Sequence, residues 1–457
     1  MDLLIKDGTI VTPTDSFKAD IGVADGKIVA IGSSLPREAD DVMEAKGKFV
    51  MPGGIDSHTH MDMPFMGTVT ADDFESGTTA AAFGGVTTIV DFAMQPKDKT
   101  FLETIALWRE KADLKVVGDY SLHVAVTNLN DDLIKEIPAV QKAGVQSFKL
   151  FMTYRKGGLM SEDDRIFRIL EESRKLGFLV QLHAENNSLL EMLIDRNVNA
   201  GNLSAEFHAR SRPNFCESEA IQRGLALAEA TGGNLYIVHM STREGLWALC
   251  NSKATGANVY GETCPHYLTL TDEKYLSPNG RRYIMSPPLR SKADNEALWE
   301  GIADGALSTV ATDHCTFNNA QKDGGKDNFT KVPNGVPGVE TMIPLLYSEG
   351  VRKKRISINK LVELTSLNPA KLFGLYPRKG ALNVGSDADI VVFDPEFEIA
   401  LTAKNLHSNL DYSIYEEFKV KGMPTYTFVR GKPVVYNREF VGKKGSGKFI
   451  PAVKPVY

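Results

Sequence analysis

Four of the nine histidines in this 457-residue chain, together with one aspartate and one lysine, are spaced to do metal chemistry. His58 and His60 stand two apart in the run GIDSHTH, and on a strand that spacing turns both imidazoles to one side, where they can grip one cation. His183 in FLVQLHAE, His239 in LYIVHMS and Asp313 in LSTVATDHC each fall near the end of another apolar run. Taken singly, each has a plainer explanation: two histidines on an exposed edge look the same, a lone histidine is commonly satisfied within a core, and an aspartate readily caps a turn. Taken together at the same ends of four strands they form a ligand set, because independent structural roles would scatter them along strands and among helices. Imidazole and carboxylate suit zinc or a similar divalent ion, and catalytic sites of this kind keep a position open for water.

Lys149 interrupts the apolar run VQSFKLFM, where an ammonium is costly unless paired or discharged. In isolation it reads as a side chain reaching from a strand end to solvent. Beside two dications its charged form is strongly disfavoured, and a neutral amine reacts with carbon dioxide to give a carbamate, an anion with one oxygen for each metal. Among four histidine ligands, Lys149 is therefore read as a carboxylated lysine (N6-carboxylysine) bridging two metal ions.

Such groups need a scaffold that brings remote strand ends together. From Ile55 onward, eight apolar runs (GIDSHTH, TTIVDFA, YSLHVAV, VQSFKLFM, FLVQLHAE, LYIVHMS, ANVYGET, LSTVATDHC) alternate with stretches of helical period such as TFLETIALWREKADL and DRIFRILEESRKLG. That alternation predicts an α/β fold, a (β/α)8 barrel over residues 51–377, whose active-site face collects the C-terminal ends of the strands. Residues 1–50 hold short runs punctuated by Asp-Gly pairs, hairpin signals that predict a small antiparallel sheet. Strand texture returns in 378–437, so the two β segments are expected to form one discontinuous domain. The Asn-, Lys- and Gly-rich segment 314–337 is of a length that in compact domains commonly serves function. Residues 438–457 read as an irregular tail.

Composition narrows the partners. A formal net charge of -6 and a pI near 5.9 leave no basic surplus for nucleic acid or an anionic membrane. Neither a signal-peptide core nor a run long enough to span a bilayer is present, and the expected location is cytoplasmic. Cys216, Cys250, Cys264 and Cys315 are far apart and are expected to be reduced thiols.

GGIDSHTHMDMPF, SFKLFMTY, HAEN, IVHMS, GETCPHYL, SPPLR, TDHC and PNGVPG together resemble the cyclic amidohydrolases, most closely the dihydropyrimidinase and D-hydantoinase branch, and the likeness runs nearly end to end. The resemblance implies a metal-dependent-hydrolase barrel flanked by a β-sandwich domain, with two divalent ions, zinc by preference. His58, His60 and Asp313 would bind one ion, His183 and His239 the other, and carboxylated Lys149 would bridge them. It implies ring opening of D-5-substituted hydantoins and dihydropyrimidines to N-carbamoyl amino acids by a metal-bridging hydroxide. Asp313 would shuttle the proton, Tyr154 would stabilise the oxyanion, and Ser286 and Asn334 would contact the ring ureide alongside Tyr154. A homotetramer is implied as well, with the 438–457 tail at a subunit contact.

Met63, Phe65, Phe151 and Leu159 are expected to gate the ring substituent, with loop packing as their alternative role. Asp62 stands where dihydroorotase-like relatives carry an arginine, which argues against an acidic substrate. An allantoinase is the alternative activity, opposed by the apolar gate. A non-catalytic structural homologue of the same fold is opposed by the filled ligand positions. His123 and His407 are assigned structural roles, and His208, His266 and His314 no direct contact with metal.

Overall fold

The computed structural model describes residues 1–457. Five strands open the chain: β1 (Leu3–Val11), β2 (Ser16–Ala24), β3 (Lys27–Gly32), β4 (Asp41–Glu44) and β5 (Phe49–Pro52). The barrel begins at β6 (Gly54–Thr59), followed by a small hairpin of β7 (Pro64–Phe65) and β8 (Thr68–Val69). Its other staves are β9 (Val86–Met94), β10 (Asp119–Ala125), β11 (Ser147–Phe151), β12 (Leu179–His183), β13 (Leu235–Ile237), β14 (Val259–Thr263) and β15 (Thr309–Val310). The chain then returns to the first sheet through β16 (Ile390–Ala400), β17 (Lys419–Val429), β18 (Lys432–Tyr436) and β19 (Glu439–Phe440).

The eight barrel strands are parallel and ordered as in the sequence. Residues just past the last strand close the ring: His60 N–H donates to the His314 carbonyl at 2.9 Å, and His314 N–H to the His58 carbonyl at 3.3 Å. Between strands lie helices whose local signals match the expectation. Phe101–Ala112 starts in a capping box of Thr100 and Glu103 and buries Phe101, Ile105, Trp108 and Ala112, one face of the 3.6-residue period. Asp163–Leu176 stops at Gly177, whose φ of 77° is the left-handed turn that ends a helix.

The other sheet has nine strands drawn from both ends of the chain. Leu3, Ile21, Val23 and Val50 share its core with Ile390, Val392 and Phe428. It is mixed rather than antiparallel, because β1 pairs in parallel with both β4 and β5. The short, mostly exposed β4 carries little apolar pattern to announce it. The chain crosses from sheet to barrel at Gly53, where a Cβ would stand 2.0 Å from Thr87 Oγ1, so only glycine fits.

A buried ionic hub joins the two bodies. Lys379, its side chain 1% exposed, donates to Asp119 at the start of β10 and to Asp389 before β16, both at 2.6 Å, and lies 3.1 Å from Asp387. Arg430, in the β17–β18 turn, also binds Asp119, whose Oδ1 accepts from Lys448 N–H at 2.9 Å. From there residues 447–456 cross the N-terminal ends of the barrel strands, with Ile450 N–H on the Tyr120 carbonyl (2.7 Å) and Ala452 N–H on that of Gly144 (2.9 Å). No helix is long and apolar enough to cross a membrane. Lys379→Met should cost about 3–5 kcal/mol, since it leaves buried carboxylates without their cation. An unchanged denaturation midpoint in urea would show that the hub contributes nothing to stability.

Candidate metal centre and active site

All six expected ligands meet at the C-terminal mouth of the barrel. His58 lies on β6 and Lys149 on β11, His183 ends β12, and His60, His239 and Asp313 stand one to three residues past their strands rather than on them. Those last two depart from their strands because β13 and β15 end early: His239 and Asp313 have φ of 37° and 48°, left-handed backbone outside the extended range of a regular strand. Tyr154, at φ 67°, is a third such residue. Left-handed non-glycine backbone costs energy and persists where the surroundings enforce it, commonly at functional sites.

His58 Nε2 and His60 Nε2 lie 3.1 and 3.0 Å from the same Asp313 oxygen, and Lys149 Nζ lies 3.0 Å from His58 Nε2. The ligand atoms of His58, His60 and Asp313 fall within 4.8 Å of one another. On the other side the rings of His183 and His239 are 4.6 Å apart, and that of His239 is 5.4 Å from His58. Lys149 Nζ sits over Phe92, 4.2 Å from the ring centre, with no carboxylate in salt-bridge contact. Burial pushes its amine down to about 8. Burial likewise lowers His183 and His239, and the nearby Lys149 charge adds to this. Burial alone would raise the Asp313 carboxyl, but His58 and His60 outweigh it and hold the group well below the usual range.

This donor set fits metal. Four imidazoles, a carboxylate and an amine converge in a buried space, and the buried Nδ1 atoms of His60 and His239 have no hydrogen-bond partner. His58, His60 and Asp313 can hold one cation and His183 and His239 a second, with Lys149 beside the first group.

Residues not foreseen as part of the site fix these ligands. Glu262 at β14 accepts from His58 Nδ1 at 2.7 Å, from His239 N–H at 3.0 Å and from the Tyr236 hydroxyl at 2.8 Å. Glu185 bonds His183 Nε2 at 2.7 Å and is itself held by Arg212 at 2.6 Å. Asp56 accepts from the backbone N–H of both His58 and Thr312, and Asp91 from Met61 N–H, the Thr59 hydroxyl and the Trp108 indole, so both pin the HTH segment. Glu262 and Glu185 lie inside the motifs GETCPHYL and HAEN, but Glu262 reaches His58 across the barrel, and Glu185, two residues from His183, owes its own support to the remote Arg212. Arg212 has no local signal at all.

The cavity beside the ligands is lined by Tyr154, Ser286, Asn334 and by Met63, Phe65, Phe151 and Leu159, with Met94 and Cys315 as further members. Asn334 Nδ2 donates to Ser286 Oγ at 2.9 Å. Asp62 is not in this lining: its carbonyl accepts from Lys111 and its carboxylate faces Lys115 at 3.6 Å. His123 bonds Ser147 and the Ser57 carbonyl, His208 the Met285 carbonyl, His314 Asp72, and His407 Glu340, whereas His266 is buried with neither nitrogen partnered. Replacing Glu262 by Gln should weaken metal binding about 10- to 100-fold, since it removes the anion that orients His58. Equal metal retention in wild type and variant during dialysis against a chelator would show that Glu262 does not tune the centre.

Residues 49–434 match the family model described as "Amidohydrolase family". A D-hydantoinase of Geobacillus stearothermophilus is 44% identical, covering 99% of this chain and 97% of that protein. A D-phenylhydantoinase of Escherichia coli is 40% identical with full coverage of both (100% each). The crystal structure of dihydropyrimidinase from Brevibacillus agri superposes with a TM-score of 0.98 at 43% identity, covering 100% of both chains. With the ligand geometry above, these likenesses establish that the chain belongs to the amidohydrolase family, in its dihydropyrimidinase and D-hydantoinase branch.

Proposed function

We propose that the protein opens cyclic ureides, D-5-substituted hydantoins and dihydropyrimidines, to N-carbamoyl amino acids. The observation that carries this reading is the placement of a paired Ser286 and Asn334 in the same cavity wall as a buried His and Asp cluster. The names of the full-length relatives support the substrate class and the D preference.

Two divalent ions, zinc by preference, would supply an activated water at neutral pH and polarise the ring carbonyl. Lys149, buried and with its amine lowered to about 8, is suited to lose a proton and add to carbon dioxide, which turns a buried cation into an anion beside His58. Asp313, kept ionised by its histidines, takes the proton of the attacking water and returns it to the leaving ring nitrogen. Burial raises the Tyr154 phenol well above its ordinary value, so it stays protonated and donates to the carbonyl oxygen as charge develops there. Because Ser286 Oγ accepts from Asn334, its own hydroxyl hydrogen can turn to a ring carbonyl or to the neighbouring Tyr154 oxygen.

Met63, Phe65, Phe151 and Leu159 with Met94 give the substituent an apolar surround, which disfavours the polar ureido group of allantoin. The assembly is taken as a homotetramer with 438–457 at a subunit contact, supported by exposed Phe440, Val441, Val453 and Val456. Sedimentation at the mass of a single chain would remove that reading.

The test of function is kcat/KM for dihydrouracil, both enantiomers of a 5-aryl hydantoin, allantoin and dihydroorotate. Opening of the first two classes with preference for the D enantiomer is expected, and turnover of allantoin alone would overturn the apolar gate. Lys149→Ala should lose activity and metal together, with partial recovery in small carboxylic acids. Unchanged activity and metal content in that variant would dispose of the carbamate.

A further inference from the structure

Lys322 belongs to the short helix Asn319–Asp323 in the long segment after β15, and it is wholly buried. Its Nζ makes no salt bridge to a carboxylate and donates instead to three carbonyl oxygens: Ile284 at 2.9 Å, Pro333 at 2.8 Å and Gly335 at 2.8 Å. An ammonium has three N–H bonds, and all three are used. Those carbonyls flank the two side chains assigned to the ureide, Ser286 and Asn334. Gly335 N–H also donates to the Ile284 carbonyl, at 3.0 Å, so the two segments are drawn to one point. The backbone there has no slack: Gly335 has φ 150°, and a Cβ on it would stand 2.3 Å from the Cys315 carbonyl oxygen.

The helix does not need Lys322 to hold it. Asn318 caps it, Arg281 pairs with Asp323, Arg282 donates to Asn319 at 2.8 Å, and Gln321 reaches Thr68 and Val69 of the β7–β8 hairpin at 2.7 Å. A buried cation without a counter-ion is a costly filler, since burial pushes this amine down to about 7 where an apolar side chain of the same length would carry no such penalty. Its three bonds therefore act on the segments they reach.

We propose that Lys322 is a positioning residue for substrate: by gathering the carbonyls of Ile284, Pro333 and Gly335 onto one amine, it sets the Ser286–Asn334 pair at the spacing that reads a cyclic ureide. The proposal rests on the cyclic-ureide reading of the site.

The experiment compares wild type, Lys322→Met, Asn334→Ala and the double variant on dihydrouracil. Lys322→Met should raise KM about tenfold or more, with a smaller change in kcat and full metal content. The double variant should lose no more than Asn334→Ala alone, because Lys322 acts through that pair. Independent losses that multiply, or an unchanged KM, would overturn the proposal. If Lys322→Met does not fold, Lys322→Gln, which keeps two donors, enters the same cycle. A crystal structure of the variant reads the point without turnover: the bond between Asn334 and Ser286 should be lost, and its persistence with both segments in place would refute the role. Failure of wild type to open any cyclic ureide would instead count against the functional reading.

Discussion

Groups that repel or waste one another when alone are forced into a single dry space at the barrel mouth, and most of the surrounding structure answers that constraint. The imidazoles of His60, His183 and His239, stripped of water, favour the neutral form, the Asp313 carboxylate needs positive partners, and the Lys149 amine cannot keep its full basicity. A pair of divalent ions resolves all three demands at once.

Holding such a cluster requires a rigid frame behind it. Glu262 ties β6 to the turn after β13, and Asp56 ties β6 to the turn after β15, so ligands remote in sequence share one carboxylate cradle. Behind His183 the chain of contacts runs through Glu185 and Arg212 to Arg290, which bonds the Arg212 carbonyl and reaches Glu217 at 3.1 Å. These are charged groups at full burial, and each is matched by an opposite charge or a donor. Left-handed backbone at Tyr154, His239 and Asp313 is tolerated within the same frame.

How much of this was legible follows from range. The HTH pair, the lysine inside SFKLF and the histidines at strand ends are local patterns, and the period-2 and period-3.6 alternation that places them on a barrel is local too. The early ends of β13 and β15 are not, because hydrophobicity continues through Val238 and Ala311, right up to the left-handed turns at His239 and Asp313. Parallel pairing of β1 with β4 and β5 depends on a return path that no turn residue announces. Arg212 and Lys322 look like ordinary surface cations in sequence, and only the fold reveals that both are buried.

The path of residues 447–456 over the lower rim bears on how the molecule is made. Asp119 receives Lys448 from 329 positions further along the chain. At ordinary elongation rates of about 5–20 residues per second, that interval lasts roughly a quarter of a minute to a minute. Throughout it, the N-terminal ends of β10 and β11 are synthesised and without the backbone partners that later cover them. A barrel whose catalytic rim depends on ions thus has an opposite rim that depends on time, and the nascent chain must keep those edges from pairing elsewhere until its own tail arrives.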